Sequence, residues 1–541
     1  MGAARVRPPG LRWHPQWQPP KCRRSAMTRT VDKAIIANRS AMVGKYEAAG
    51  VDAIEAALQR LIAADGKRHL TTEILYIDDA AHMAAFGASP VLGPADERGA
   101  KAAVDAIADT LNPDYILLLD GPDVLPQIQL NAIPGLSDGD AKTETDLPYA
   151  CATGAFSRQA RAYLAATRVV GRLPMPPGRP DAGVLARMID RCASHQPRPK
   201  AGDLPFFAIS ADVWRVSTQL SLNAVFGSHA ALHVSPDDCH DRIDDALRHP
   251  VHFINCHGAK ADHRFYGQRA DDYPVAMESH RVAPHVTEGA VVAAECCYGA
   301  MLYDKELISD HPPICMSYLE NGAIAFVGST NIAYGPADRN AQADLICQFF
   351  LEEVLKGAST GRALLRARQR FVQDQKISTP TNLKTLAQFV LYGDPSLRVV
   401  DAAPGGLVAE AAGDDDDILA SDQESSRKLR RVALKSDGIA IAQSATYALR
   451  EAGIDGNRKA VERFETVARQ RGYNGKPTVF SVSGGSSFRT ASKLMDRAPQ
   501  IAVIVEETTG NGTEGKIPRY HVLTAHILGD GITAIEECES R

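Results

Sequence analysis

The chain has 541 residues with 60 Lys and Arg against 65 Asp and Glu. A formal net charge of −5 supplies neither a basic field for nucleic acid nor a polybasic patch for a membrane surface. Hydrophobic residues make up 45% and charged residues 23%, the composition of a globular protein with a large core and more than one structural unit. No run approaches the roughly eighteen apolar residues of a membrane span. Ten scattered cysteines do not make a secreted disulfide framework. Residues 1–28 are rich in Arg and Pro, lack the apolar core of a secretory signal, and are expected to be a disordered extension, with Met27 as an alternative start. A cytoplasmic location is the default expectation.

In chain order, Asp32–Asn38 reads as a first strand and the run from about Ser40 to Ala64 as an amphipathic helix. Thr72–Ile77 is a second strand, Asp96–Thr110 a helix, and Tyr115–Leu119 a third, very apolar strand that ends at Asp120. The polar, Gly-rich section from Gln127 to Ala166 has no clear pattern. Arg168–Pro174 and Pro205–Ser210 read as strands, with a helix from about Asp181 to Ser194 between them. Val251-His-Phe-Ile-Asn-Cys-His257-Gly258 and Val291-Val-Ala-Ala-Glu-Cys296-Cys297 are apolar strands that stop at reactive side chains. Gly322–Thr330 is one more buried strand, followed by helices near 337–356, 361–375 and 382–391 and a last strand near Leu397. Strands alternating with helices predict an α/β fold with a mainly parallel sheet between helices.

A boundary falls at 404–428, where Pro404-Gly-Gly and Asp414-Asp-Asp-Asp417 make an acidic, breaker-rich linker. The units expected are 29–403, divided into 29–200 and 201–403, and a smaller C-terminal α+β domain, 429–541. That last unit shows a helical pattern to Arg471 and strand patterns at 478–482, 501–506 and 521–528. It contains no recognisable chemistry, and Ser483-Gly-Gly-Ser-Ser487 reads as a plain turn.

The chemistry lies at the two strand ends. Ligands of open α/β sheets bind beyond the carboxyl ends of the strands. A His and a Cys there make a thiol and a base placed for nucleophilic catalysis. His257 and Cys296 are the expected pair. Gly299, three residues after Cys296, favours a turn whose amides face an oxyanion, and Cys297 is the alternative nucleophile. Only one of the two cysteines can face the crevice, because neighbours along a strand point to opposite faces. Zinc held by Cys256, His257, Cys296 and Cys297 is a rival reading, disfavoured because adjacent ligands chelate poorly. No metal site is expected.

These stretches together resemble the caspase-like cysteine peptidases of clan CD, and among them the gingipain type. The resemblance rests on the His257-Gly258 and Cys296 strand ends, Pro113–Asp120, Asp146-Leu-Pro-Tyr149, Val169–Pro174, Gly322–Thr330 and Leu391-Tyr-Gly-Asp-Pro-Ser-Leu397, and spans about Asp32 to Val400. It implies a three-layer caspase-like fold and a cysteine endopeptidase acting on protein or peptide substrates. His257 would donate the proton to the leaving amine, Cys296 would attack, and amides near Gly258 and Cys296 would hold the oxyanion. Gingipains place a glutamate near the histidine where this chain has Thr167. Their preference for a basic residue before the cut makes Arg or Lys the expected P1 residue. Asp181, Asp120 and Asp146 are the candidate substrate carboxylates, with Ser329 and Thr330 lining the cleft. No cofactor is expected beyond a structural calcium ion of the kind relatives bind. The C-terminal domain would serve a regulatory partner, and the acidic linker would be a self-cleavage site. The alternative to an enzyme is a binding module that keeps the fold without turnover.

Overall fold

The computed structural model describes residues 31–401 apart from 153–154, 179, 200–203 and 239–241. It also describes 435–541 apart from 442, 444, 453–456, 485–497 and 513–514. The expected extension 1–28 and the expected linker 404–428, with its expected self-cleavage, lie outside the described residues.

Ten strands build one sheet. They are β1 (Lys33–Ala37), β2 (Thr72–Tyr76), β3 (Tyr115–Leu119), β4 (Val170–Leu173) and β5 (Phe206–Ala211). The others are β6 (Leu232–Ser235), β7 (Val251–Asn255), β8 (Val291–Ala294), β9 (Ala325–Ser329) and β10 (Phe389–Gly393). Their order is β2-β1-β3-β4-β10-β9-β8-β7-β5-β6, parallel except where β9 meets β10. The central strands carry continuous apolar runs because helices cover both faces, which leaves no solvent face to demand alternation. The longer helices are α1 (Arg39–Lys67), α2 (Glu97–Leu111), α3 (Ala182–Ser194), α4 (Arg215–Phe226) and α5 (Ile314–Asn321). They continue with α6 (Gln342–Leu355), α7 (Thr360–Asp374), α8 (Pro380–Gln388) and α9 (Arg458–Gln470). The mainly parallel sheet between helices is the one the resemblance implied. No helix among the described residues is long and apolar enough to cross a membrane.

Two sequence expectations yield to tertiary pairing. The helix expected over 382–391 ends at Gln388, and Phe389–Gly393 instead pairs antiparallel with β9. Its aromatic and branched side chains suit a buried central strand, where pairing outweighs a local helical pattern. The helical run expected to Arg471 contains a strand, β11 (Tyr447–Glu451), before α9.

The C-terminal strands are much longer than their sequence patterns. They are β12 (Thr478–Gly484), β13 (Gln500–Gly512), β14 (Gly515–Leu528) and β15 (Gly531–Ser540). Alternate residues face opposite ways. Ala502 and Ile504 pack with Val461 and Phe464 of α9, while Ile501 and Val503 join the main core. This sheet reaches into the larger unit at two places. Tyr334–Gly335 pairs with β15, and Asp272–Tyr273 pairs with β13.

A buried ion cluster ties the first strand to the end of β10. Lys33 contacts Asp65 at 2.8 Å and also pairs with Asp394, all three side chains being fully buried. Removing one partner of a buried pair strands the opposite charge. Lys33→Ala is therefore expected to cost about 3–5 kcal/mol of unfolding free energy, measured by urea titration. A loss below about 1 kcal/mol would show that the cluster is not a keystone of the sheet.

Candidate active site

β7 and β8 are parallel neighbours in the register Val251–Val291 to Ile254–Ala294. The register continues as the Glu295 amide donates to the Ile254 carbonyl at 2.8 Å. Asn255 is thus level with Glu295, Cys256 with Cys296, and His257 with Cys297. Pleating sends these pairs to alternate faces. His257 and Cys297 emerge together on the face that also carries Asn255 and Glu295.

Cys296 points the other way. It is fully buried, its Sγ lies 4.0 Å from the Ile254 carbonyl, and burial pushes its thiol well above the ordinary range. Cys296, the expected nucleophile, therefore faces away from His257, and Cys297, the alternative, lies on the same face as His257. The same alternation separates Cys256 and Cys296 from His257 and Cys297, so the four ligands weighed for zinc do not converge.

The Cys297 Sγ lies 3.2 Å from the Ala333 amide, which donates to it. Burial raises its thiol to about 12. His257 is packed between Trp214 and Tyr273, with ring centroids 4.2 and 4.6 Å away. One ring nitrogen, Nε2, is 2.9 Å from the Gln268 side-chain oxygen. Burial pushes the imidazole down to about 3, only partly offset by that hydrogen bond. Burial thus favours the uncharged form of both groups. Gly258 is required by the close approach of the two strand ends, since a Cβ there would lie 1.8 Å from the Cys297 carbonyl oxygen.

Behind Cys297 the chain turns through Tyr298, whose φ of +55 is unusual for a residue with a side chain. Its hydroxyl donates to Asp140 at 2.8 Å, and Asp140 also accepts from the Ile332 amide at 2.9 Å. Asp138 accepts from Tyr334 at 2.8 Å, and Lys384 pairs with both aspartates. The unpatterned section thus supplies the bracket that holds the cysteine turn against the segment 332–334.

Ala333–Gly335 forms one wall of the cleft, and the chain's own residues 539–541 lie along it. Ser540 is opposite Tyr334 and Glu539 opposite Gly335, antiparallel. The Arg541 amide donates to the Ala333 carbonyl at 3.0 Å, and the Cys297 amide donates to the Arg541 main-chain oxygen at 3.3 Å. The Arg541 side chain is fully buried in a pocket between the sheet and α6. Its guanidinium lies 3.2 Å from Glu295 and 2.7 Å from Asp344, and it donates to Asn255. Trp214 closes the pocket, its ring centroid 4.9 Å from the guanidinium carbon. Gly335 leaves room for the cation, since a Cβ would fall 1.9 Å from it. Burial, then the neighbouring Asp344, raises Glu295 well above the usual carboxylate range, while Arg541 opposes the shift. Asp344 is raised by burial and pulled back first by Arg541.

The substrate carboxylates expected from the sequence are engaged elsewhere. Asp120 pairs with Lys45 at 2.8 Å. Asp146 is clamped by Arg172 through bonds of 2.9 and 2.7 Å. Asp181 caps α3 by accepting from the Gly183 amide at 2.8 Å. Ser329 donates to the Asn331 carbonyl and Thr330 to the Glu144 carbonyl, so both hydroxyls turn inward, and the cleft wall lies four residues further on. Thr167 follows Ala166 and hydrogen-bonds through its amide to Ala150, while Gln268 is the side chain that meets His257.

A separate cluster could hold a metal. His263, His280 and His311 bring their ring nitrogens within 4.8 Å of one another, the one such grouping among the described residues. His263 also meets Ser309, and His280 lies 3.2 Å from Glu278.

Residues 287–400, which include Cys297, the cleft wall and Asp344, match the sequence profile of Peptidase family C25. That match shows the gingipain-type resemblance and supports a cysteine peptidase. Among solved structures, one described as a protease covers 94% of this chain and 96% of its own, at 11% identity and a TM-score of 0.43. The separase–securin complex of Saccharomyces cerevisiae covers 43% of this chain and 14% of its own, at 14% identity and a TM-score of 0.28. No curated protein matches the chain.

Proposed function

We propose that this chain, similar to the C25 peptidases through residues 287–400, is a cysteine endopeptidase that cuts after arginine. Cys297 is the nucleophile and His257 the proton carrier. The observation that supports it is Arg541. Its backbone pairs with the cleft wall, its oxygen meets the Cys297 amide, and its guanidinium fills a pocket with two carboxylates.

In the proposed reaction a substrate arginine takes the place of Arg541. Its carbonyl oxygen receives the Cys297 N–H, so charge that develops there on attack meets a fixed donor. The Cys297 Sγ forms a bond to the carbonyl carbon, and its proton passes to His257. His257 then protonates the leaving amine as the carbon–nitrogen bond breaks, leaving a thioester. Water attacks the thioester, His257 takes its proton, and the thiol is restored as the carboxylate departs. Asn255, Glu295 and Asp344 fix the cation, and Trp214 covers its face. Side chains and water suffice for every step.

An acyloxymethyl ketone with arginine at P1, read by intact mass, tests this reading. One adduct is expected on the Arg541→Ala chain, removed by adding Cys297→Ala and retained on adding Cys296→Ala. Modification by an aspartate probe but not by the arginine probe would overturn the specificity. No modification by either would favour a binding module over an enzyme.

A further inference from the structure

The occupant of the arginine pocket belongs to the same chain, which bears on regulation of the site just assigned. We propose that β15 with Arg541 is an intramolecular occupant of the cleft, so that another peptide enters only when this strand leaves. This rests on the reading of the cleft as a peptide site.

Three kinds of contact converge on the strand. The backbone of 539–541 pairs with 333–335, the guanidinium fills the acidic pocket, and the Arg541 oxygen meets the Cys297 amide. These are the three contacts an extended peptide makes up to the bond to be cut. Residues further back are also anchored. Glu539 accepts from Trp214 Nε1 at 3.2 Å and from Arg519 at 2.6 Å, and the Ser540 hydroxyl accepts from the Tyr520 amide at 2.9 Å. With the strand in place, Cys297 and His257 retain only 4% and 2% of their exposure, too little for a substrate to reach them.

The competition is one-sided because the strand is tethered. β15 is joined to β14 by a tight turn and paired with it over most of its length. A tethered occupant competes at an effective concentration of about millimolar or above, which a free peptide in the micromolar range does not match. Its sequence also states the preferred ligand, an extended peptide with Glu, Ser and Arg at P3, P2 and P1.

Binding and turnover are read separately, so that the occupant and the peptidase can fail independently. A fluorescent peptide ending in Glu-Ser-Arg is titrated by anisotropy into full-length Cys297→Ala chains, with and without Arg541→Ala. At least a tenfold gain in affinity is expected from Arg541→Ala. Glu539→Ala, which removes the Trp214 and Arg519 anchors while leaving the pocket intact, should give a smaller gain in the same direction. In chains that retain Cys297, hydrolysis of an arginyl fluorogenic peptide should rise by at least tenfold with Arg541→Ala. Affinity gained without hydrolysis upholds the occupant and overturns the peptidase. Equal peptide affinity with Arg541 and with both substitutions overturns the occupant.

Discussion

Cys297→Ala is expected to lower kcat/KM for an arginyl peptide by roughly 1,000-fold or more, because the proposed reaction forms its covalent intermediate on that thiol. Cys296→Ala should leave kcat/KM within about threefold and cost about 1 kcal/mol of stability, the usual scale for trimming a buried side chain. The contrast follows from a one-residue difference in register. Cys297 is level with His257 and donates its amide to the occupant's oxygen, whereas Cys296 contacts the backbone of β7. Steady-state kinetics with the cleft opened by Arg541→Ala, beside urea denaturation of each variant, reads both effects. Activity that survives Cys297→Ala and vanishes with Cys296→Ala would reverse the assignment.

The second large effect is expected at the pocket. Truncating one partner of a buried, hydrogen-bonded charge pair costs about 2–5 kcal/mol. At about 1.4 kcal/mol per factor of ten, this is roughly 30-fold to several thousand-fold in affinity or kcat/KM. Asp344→Asn should fall in this range for arginine substrates, since its oxygen accepts from the guanidinium at 2.7 Å, and Glu295→Gln well below it, since Glu295, 3.2 Å away, makes no hydrogen bond to that group and burial favours its neutral form. Neither should weaken hydrolysis of a substrate with a neutral P1 residue to the same degree, because no cation then depends on the carboxylates. The readout is the ratio of kcat/KM for arginine over glutamine at P1, again with Arg541→Ala. A ratio unchanged in both variants would place the specificity elsewhere.

Much of the architecture was legible because the central strands announce themselves. Lys33–Ala37, Tyr115–Leu119 and Val251–Asn255 are apolar runs bounded by turn residues, and a strand buried on both faces can look no other way. The His257 strand end was legible for the same reason. Choosing between Cys296 and Cys297 needed the relative register of β7 and β8, which belongs to two segments at once. Counting in steps of two from His257 and from each cysteine tells which cysteine shares its face only once the pairing is known.

The arginine pocket left a fainter signal. Glu295 and Asn255 are polar residues inside otherwise apolar strands, and a buried charge demands a partner. The sequence could raise that question, but the answer lies in Asp344 on α6 and in Arg541, distant in the chain. Asp120, Asp146 and Asp181 attracted the expectation because they stand beside recognisable motifs. Their neighbours, Lys45, Arg172 and the start of α3, show them holding the frame. β15 leaves no strand signal in the sequence because Gly531–Ser540, with Glu536, Glu537 and Glu539, has the composition of a solvated tail. It becomes a strand through its partners, β14 on one side and the cleft wall on the other.

Tyr334–Gly335 has a further consequence once β15 withdraws. Its outward backbone groups become a free sheet edge, and such an edge recruits any segment able to lie down as the next strand. A helix cannot do so, since its amides and carbonyls are already spent on one another. On the proposed reading, the sites open to cleavage would be arginines in stretches of partner chain that are unfolded or can locally unravel. Whether a folded protein is cut then depends on how readily it gives up a few residues of its own structure.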